Sequence, residues 1–205
     1  MAAKITVHKG DLPAGLRFPN GVAIDTETLG LKPHRDRLCL VQLSAGDGTA
    51  HLVQFDGKSY DAPHLKRLLV DPDTAKIFHF ARFDVAVLSQ YLGVVTKPVF
   101  CTKIASKLAR TYTDRHGLKD LVAELLGVEL SKQQQRSDWA ADRLSDAQKA
   151  YAASDVLHLH ALRARLDAML KRDGREALAQ SCFDFLPTRA ALDLAGFDDM
   201  DIFSH

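Results

Sequence analysis

Between Val22 and Leu31 the chain reads VAIDTETLGL, an apolar run that ends in two carboxylates, and no other stretch restricts the fold as much. Side chains alternate across a strand, so Asp25 and Glu27, two residues apart, emerge on one face. Two such charges a few ångströms apart repel unless a cation lies between them. The pair therefore calls for a divalent metal with oxygen ligands.

The other elements follow from periodicity and punctuation. KITVH (4–8) suits a short strand, and GDLPAG is a turn region leading into the strand of Asp25. After the loop LGLKPHRD, segments 38–44 and 49–55 flank AGDG, whose glycines can take positive φ, and predict a β-hairpin. A short helix opens at Asp61 or Pro63 and runs through Leu69. AKIFHF (75–80) then reads as a buried strand beside the first. In ARFDVAVLSQYLG the apolar residues Phe83, Val87, Leu88 and Tyr91 recur at helical spacing. That helix has Asp84 in its first turn, where the dipole favours a negative group, and Gly93 as its C-cap. VFCT (99–102) makes a fifth strand, and helices over 103–110 and 117–126 follow, joined by TYTDRH. Beyond the polar span SKQQQRSDWAADR, a capping box at Ser145 starts a long helix to about Lys171, on which Tyr151 and Asp155 share a face. Strands, then strand and helix in alternation, then helices predict one α/β domain. Its mixed five-stranded sheet carries helices on its faces, and a helical, acidic tail begins at about residue 175.

A length of 205 residues allows one domain with a substantial core. No apolar run reaches membrane-spanning length, and MAAKITVHKGDLPAG lacks the basic flank and apolar core of a secretory signal. Cys39, Cys101 and Cys182 have no C-x-x-C spacing, which suits a reducing compartment, with the cytoplasm as the expected location, and argues against zinc. Net charge is +1, low for a protein that tracks long nucleic acid.

D-x-E at Asp25 and Glu27, helix-start Asp84 in FHFARFDVAVL, and Y-x-x-x-D at Tyr151 and Asp155 are each common alone. As an ordered set they resemble the DEDD superfamily of 3′-to-5′ exonucleases, in the branch with tyrosine in its third motif. The likeness covers about residues 20–165 and implies a ribonuclease H-like fold. Within the superfamily, QQQRSDWAADRLSDAQKAYAASDVLHL is similar to the ribonuclease D group, although the residues after 175 are too few for that group's helical nucleic-acid-binding domains. From DLPAGL through DTETLGLKPHRDRLCLVQLS to CFDFLPTRAALDLAGF, the chain most resembles the short nano-RNase C family, which degrades dinucleotides. That resemblance implies release of nucleoside 5′-monophosphates from the 3′ end of RNA, and a homo-oligomeric ring of octamer size.

Elementary chemistry agrees. Four converging carboxylates would destabilise one another, yet they suit two divalent ions that activate water and stabilise the leaving oxygen of an in-line phosphoryl displacement. Asp25, Glu27 and Asp155 are assigned to the ion that holds the attacking water; Asp25 also reaches a second ion, which Asp84 supports directly or through water. Hard oxygen ligands, with no cysteine or histidine at the motif positions, imply Mg2+ or Mn2+. A tyrosine titrates near pH 10, roughly, too high for a base, so Tyr151 is read as orienting the nucleophile; the plainer role is packing on the sheet.

Leu31 lies in the loop that leaves the Asp25 strand, where enzymes of this superfamily acting on short RNA often place a leucine wedge between bases. Without that likeness, a leucine closing the core would be expected. His79 and Arg82, just ahead of Asp84, are expected to reach a phosphate, the plainer readings being a strand-end histidine and a solvated arginine. Between residues 102 and 119, Lys103, Lys107, Arg110, Arg115 and Lys119 outweigh Asp114; from Asp184 onward, Asp184, Asp193, Asp198, Asp199 and Asp201 outweigh Arg189. Such runs are usually solvated faces. Two sharper alternatives stand open: the tail docks on a neighbouring subunit's basic stretch, or that stretch, with Arg115 and His116, holds the substrate's 5′ phosphate.

The expected function is a metal-dependent exoribonuclease for very short RNA, chiefly dinucleotides. A general ribonuclease D-like trimming enzyme and a catalytically inactive nucleic-acid-binding scaffold are the alternatives. No carboxylate of the set is missing, which disfavours the scaffold; a DNA proofreading role would be expected beside a polymerase, and the chain contains none.

Overall fold

The computed structural model describes residues 3–131, 134 and 137–204. Its strands are β1 (Lys4–Lys9), β2 (Val22–Thr28), β3 (Leu38–Ser44), β4 (Thr49–Gln54), β5 (Lys76–Phe78) and β6 (Val99–Cys101). They form one mixed sheet in the order β1-β4-β3-β2-β5-β6. The hairpin of β3 and β4 turns at Gly46 and Gly48, both at positive φ, and β3 pairs antiparallel with β2 on its other side. β5 and β6 add in parallel, each reached through a helix because a parallel neighbour needs a crossover.

The sheet has six strands where five were expected, because KITVH joins its edge in parallel with β4. The helices are α1 (Pro63–Val70), α2 (Ala81–Leu92), α3 (Thr102–Ala109), α4 (Leu118–Leu126), α5 (Asp146–Leu157), α6 (Leu159–Arg172) and α7 (Glu176–Leu192), followed by a wide turn at Asp193–Phe197. The long helix expected from Ser145 is two, broken at His158. Of the polar span before it, Lys132, Gln133, Gln135 and Arg136 lie outside the described residues.

Alternation along the strands gives the sheet two apolar faces. Ile24, Val41, Leu43 and Val53 belong to a large core shared with α1, α2, α3, α6 and α7. Leu40 and Leu52 face the other way, under Trp139, Leu144 and Ala152. α5 thus covers the face that carries Asp25 and Glu27. The acidic tail is held within its own chain: Asp193 pairs with Arg82 and Arg189, and Asp198 with Lys32. Among the described residues no helix is long and apolar enough to cross a membrane.

Candidate active site

Three elements deliver the carboxylates. In β2, Asp25 lies opposite Gln42 and Glu27 opposite Leu40, and the register slips between Glu27 and Thr28. A bulge of this kind ends regular pairing and turns the chain outward, here into the loop of Leu31. The Ser145–Gln148 capping box starts α5 as expected, and Asp155 enters the cleft one turn beyond Tyr151. Carboxylate oxygens of Asp25, Glu27 and Asp155 lie within 4.8 Å of one another. Asp84 comes from the first turn of α2, on the opposite face, where its Oδ1 accepts a hydrogen bond of 2.7 Å from Thr26 Oγ1. It stands just outside the three-carboxylate cluster.

Their mutual repulsion is evident in their proton affinities. Burial, then the charges of Asp84, Asp155 and Glu27, pushes Asp25 well above the usual carboxylate range. Burial and then Asp155 raise Glu27 to about 9. Burial raises Asp84 and Asp155 to about 7, against the hydrogen bonds from Thr26 and Tyr151 respectively. A hard divalent cation among them would favour the ionised forms, so this all-oxygen donor set fits the expected metal. Tyr151 hydrogen-bonds to Asp155, and burial followed by the Asp155 charge drives its phenol far above its ordinary value. It keeps its proton at neutral pH and acts as a donor.

Two residues that the motifs pass over hold this arrangement. Gln42, fully buried, donates from Nε2 to Asp25 Oδ2 at 3.1 Å, while its Oε1 has no partner among the described residues. A lone amide inside the apolar run LCLVQLS was the available signal. Trp139 is 2% exposed and packs on the Tyr151 ring at 6.0 Å between centroids, which fixes the ring's position. The cleft, about 330 Å³, is also lined by His79, Leu130, Ser131 and the first turn of α4, including Lys119.

A family model described as 3′-5′ exonuclease matches residues 13–171. The chain belongs to that family. It is 58% identical to Brucella melitensis NrnC bound to pGG, with a TM-score of 0.95 over 100% of both chains. The same protein with bound Mg2+ matches at 58% identity and a TM-score of 0.93, over 98% of this chain and 99% of that one. Ribonuclease D of Gluconacetobacter diazotrophicus is 39% identical over 160 residues, 78% of this chain and 40% of the relative. The chain spans 39–40% of the length of the first three ribonuclease D relatives it matches.

The remaining expected residues of the exonuclease divide. Leu31 is 82% exposed, so it closes no core. Its loop is braced by Asp36: Lys32 N–H donates to Asp36 Oδ2 at 3.0 Å, and a Cβ at Gly30 would collide with the Asp36 carboxylate. Arg82, expected to reach a phosphate, is engaged within the chain. Asp193 takes its Nε and Nη2 at 2.6 and 2.8 Å, and the Asp198 carbonyl takes Nη2 again. His79 reaches the cleft, but burial and then Lys103 lower its pKa to about 3, so it is neutral and brings no charge to a phosphate. Arg115 is ion-paired with Asp120 at 2.7 Å with its side chain 69% exposed. His116 Nδ1 lies 2.8 Å from Ser106 Oγ, in a loop tied down by buried Arg110, which reaches Ser106, the Arg115 carbonyl and Glu124.

Proposed function

We propose that the chain hydrolyses very short RNA from its 3′ end, with dinucleotides preferred, and releases nucleoside 5′-monophosphates. The observation that carries this reading is the convergence of Asp25, Glu27 and Asp155 within 4.8 Å beside a Tyr151 hydroxyl that stays protonated. Asp25, Glu27 and Asp155, with Asp84 in support, would hold two divalent ions, Mg2+ or Mn2+. Bound there, such ions supply an activated water nucleophile and charge stabilisation at the leaving oxygen. The Tyr151 hydroxyl, whose proton is donated to Asp155, accepts a hydrogen bond from the attacking water and so orients the nucleophile, and its ring is held by Trp139. Gln42 fixes one oxygen of Asp25 and leaves the other for the cleft.

Substrate length follows from charge and shape. A protein that reads long RNA accumulates phosphate contacts and a steep salt dependence, for which a net charge of +1 leaves little. Leu31, exposed on a hydrogen-bonded loop, offers a base an apolar face whose stacking is insensitive to salt. Arg115 and His116, before α4, are the groups assigned to the 5′ phosphate. Assembly into a homo-oligomeric ring and a cytoplasmic location belong to the same reading, which the likeness to NrnC bound to pGG supports. The ribonuclease D relatives favour a second reading, a trimming enzyme for longer RNA.

A time course with Mg2+ on 5′-phosphorylated RNAs of two, three, five and seven nucleotides, at two salt concentrations, separates the two. The dinucleotide is expected to be cleaved fastest with a shallow salt slope, and a folded Asp25→Asn variant is expected to be inactive. A heptamer trimmed as quickly as the dinucleotide transfers the case to the trimming enzyme.

A further inference from the structure

His79 carries more chemistry than its place beside the cleft first suggests. Its Nδ1 lies 2.9 Å from Thr102 Oγ1. A hydroxyl has one proton, and that of Thr102 is donated to the Phe78 carbonyl at 3.1 Å. Toward the imidazole, Thr102 therefore accepts, so Nδ1 carries the ring proton and Nε2 a lone pair. Among the described residues Nε2 has no hydrogen-bond partner, while the His79 side chain lines the same cleft as Asp25, Glu27 and Asp155. Burial and the neighbouring Lys103 keep the ring from taking a second proton near neutrality.

The polar partner for such a nitrogen must donate a hydrogen bond. Phosphate oxygens only accept. A ribose next to a phosphate that cations hold beside the carboxylates would bring its hydroxyls into this cleft, and the 2′-hydroxyl is the donor that separates RNA from DNA. We infer that His79 Nε2 accepts a hydrogen bond from a ribose 2′-hydroxyl of the substrate, and that His79 is a residue by which the enzyme favours RNA over DNA.

The inference rests on the exoribonuclease reading, and its test is a comparison of sugar against side chain. A 5′-phosphorylated diribonucleotide and its two analogues with a single 2′-deoxy residue, at the 5′ or the 3′ position, are cleaved with Mg2+ by the wild type and by His79→Phe and His79→Leu. One neutral hydrogen bond corresponds to about three- to tenfold in kcat/KM. The wild type is expected to favour the diribonucleotide over at least one analogue by roughly that factor, and the variants to bring the ratio to about one. A merely structural role would lower all three rates together and leave the ratio unchanged. A wild type indifferent to both deoxy substitutions, or a folded variant that keeps the wild-type ratio, overturns the inference. Failure of the wild type to cleave the diribonucleotide at all overturns the underlying reading with it.

Discussion

At the scale of single residues, the site consists of repulsions waiting for a cation, and proton uptake reveals them. In the metal-free fold Glu27 keeps a proton up to about pH 9, whereas its ordinary value is 4.5. Between those values the folded state binds the extra proton, so this group's contribution to stability falls as pH rises. Glu27→Gln removes that cost. Without metal, the variant should melt several degrees above the wild type at pH 9 and match it at pH 5, and equal differences at both pH values would contradict the proton assignment. Gln42 behaves in the opposite sense. A buried amide with one unpartnered oxygen is a stability cost retained for the hydrogen bond it gives Asp25. Gln42→Leu should fold, yet bind Mg2+ about 10- to 100-fold more weakly by calorimetry, the usual effect of losing a group that orients a metal ligand. The carboxylates were legible in the sequence because their spacing is itself the signal. Gln42 was not, since its role depends on the strand register that sets it opposite Asp25.

Among the elements, the loop between β2 and β3 carries the proposed contact with a base. Asp36 ties down Lys32, Thr28 Oγ1 donates to the Gly30 carbonyl, and Leu31 is left standing out. Because the loop is braced independently of Leu31, Leu31→Ala should leave folding and Mg2+ affinity unchanged while raising KM for the dinucleotide about tenfold, an estimate from the worth of one base stack. An unchanged KM would remove Leu31 from the substrate site. The antiparallel hairpin, α2 with its Gly93 cap and the start of α5 all followed from local rules that the fold keeps. Two features did not: the parallel pairing of KITVH with β4 is a contact between segments more than forty residues apart, and the break at His158 carries neither glycine nor proline. Likewise, the ion pair of Arg82 was not legible because its partner, Asp193, lies 111 residues away.

For the whole molecule, metal and fold are linked. Ions that bind only the folded state raise its stability by mass action, and these ligands must shed protons first. The rise in melting temperature with Mg2+ should therefore grow as pH passes from about 6 to about 9, the span over which Asp84, Asp155 and Glu27 ionise. A shift independent of pH would place the ion elsewhere. One arrangement described above also decides how the molecule fails when warmed. Asp193 and Asp198 fasten two elements at once, Arg82 in the first turn of α2 and Lys32 beside Leu31. The Lys32–Asp198 pair is exposed and such pairs are weak, and the residues beyond it include exposed Met200, Ile202 and Phe203, so this end of the segment belongs to the part that opens at low free energy. Heat inactivation should then run ahead of melting: dinucleotide turnover declines several degrees below the loss of helical circular dichroism, reversibly on cooling, and a disulfide engineered to clamp that segment closes the gap.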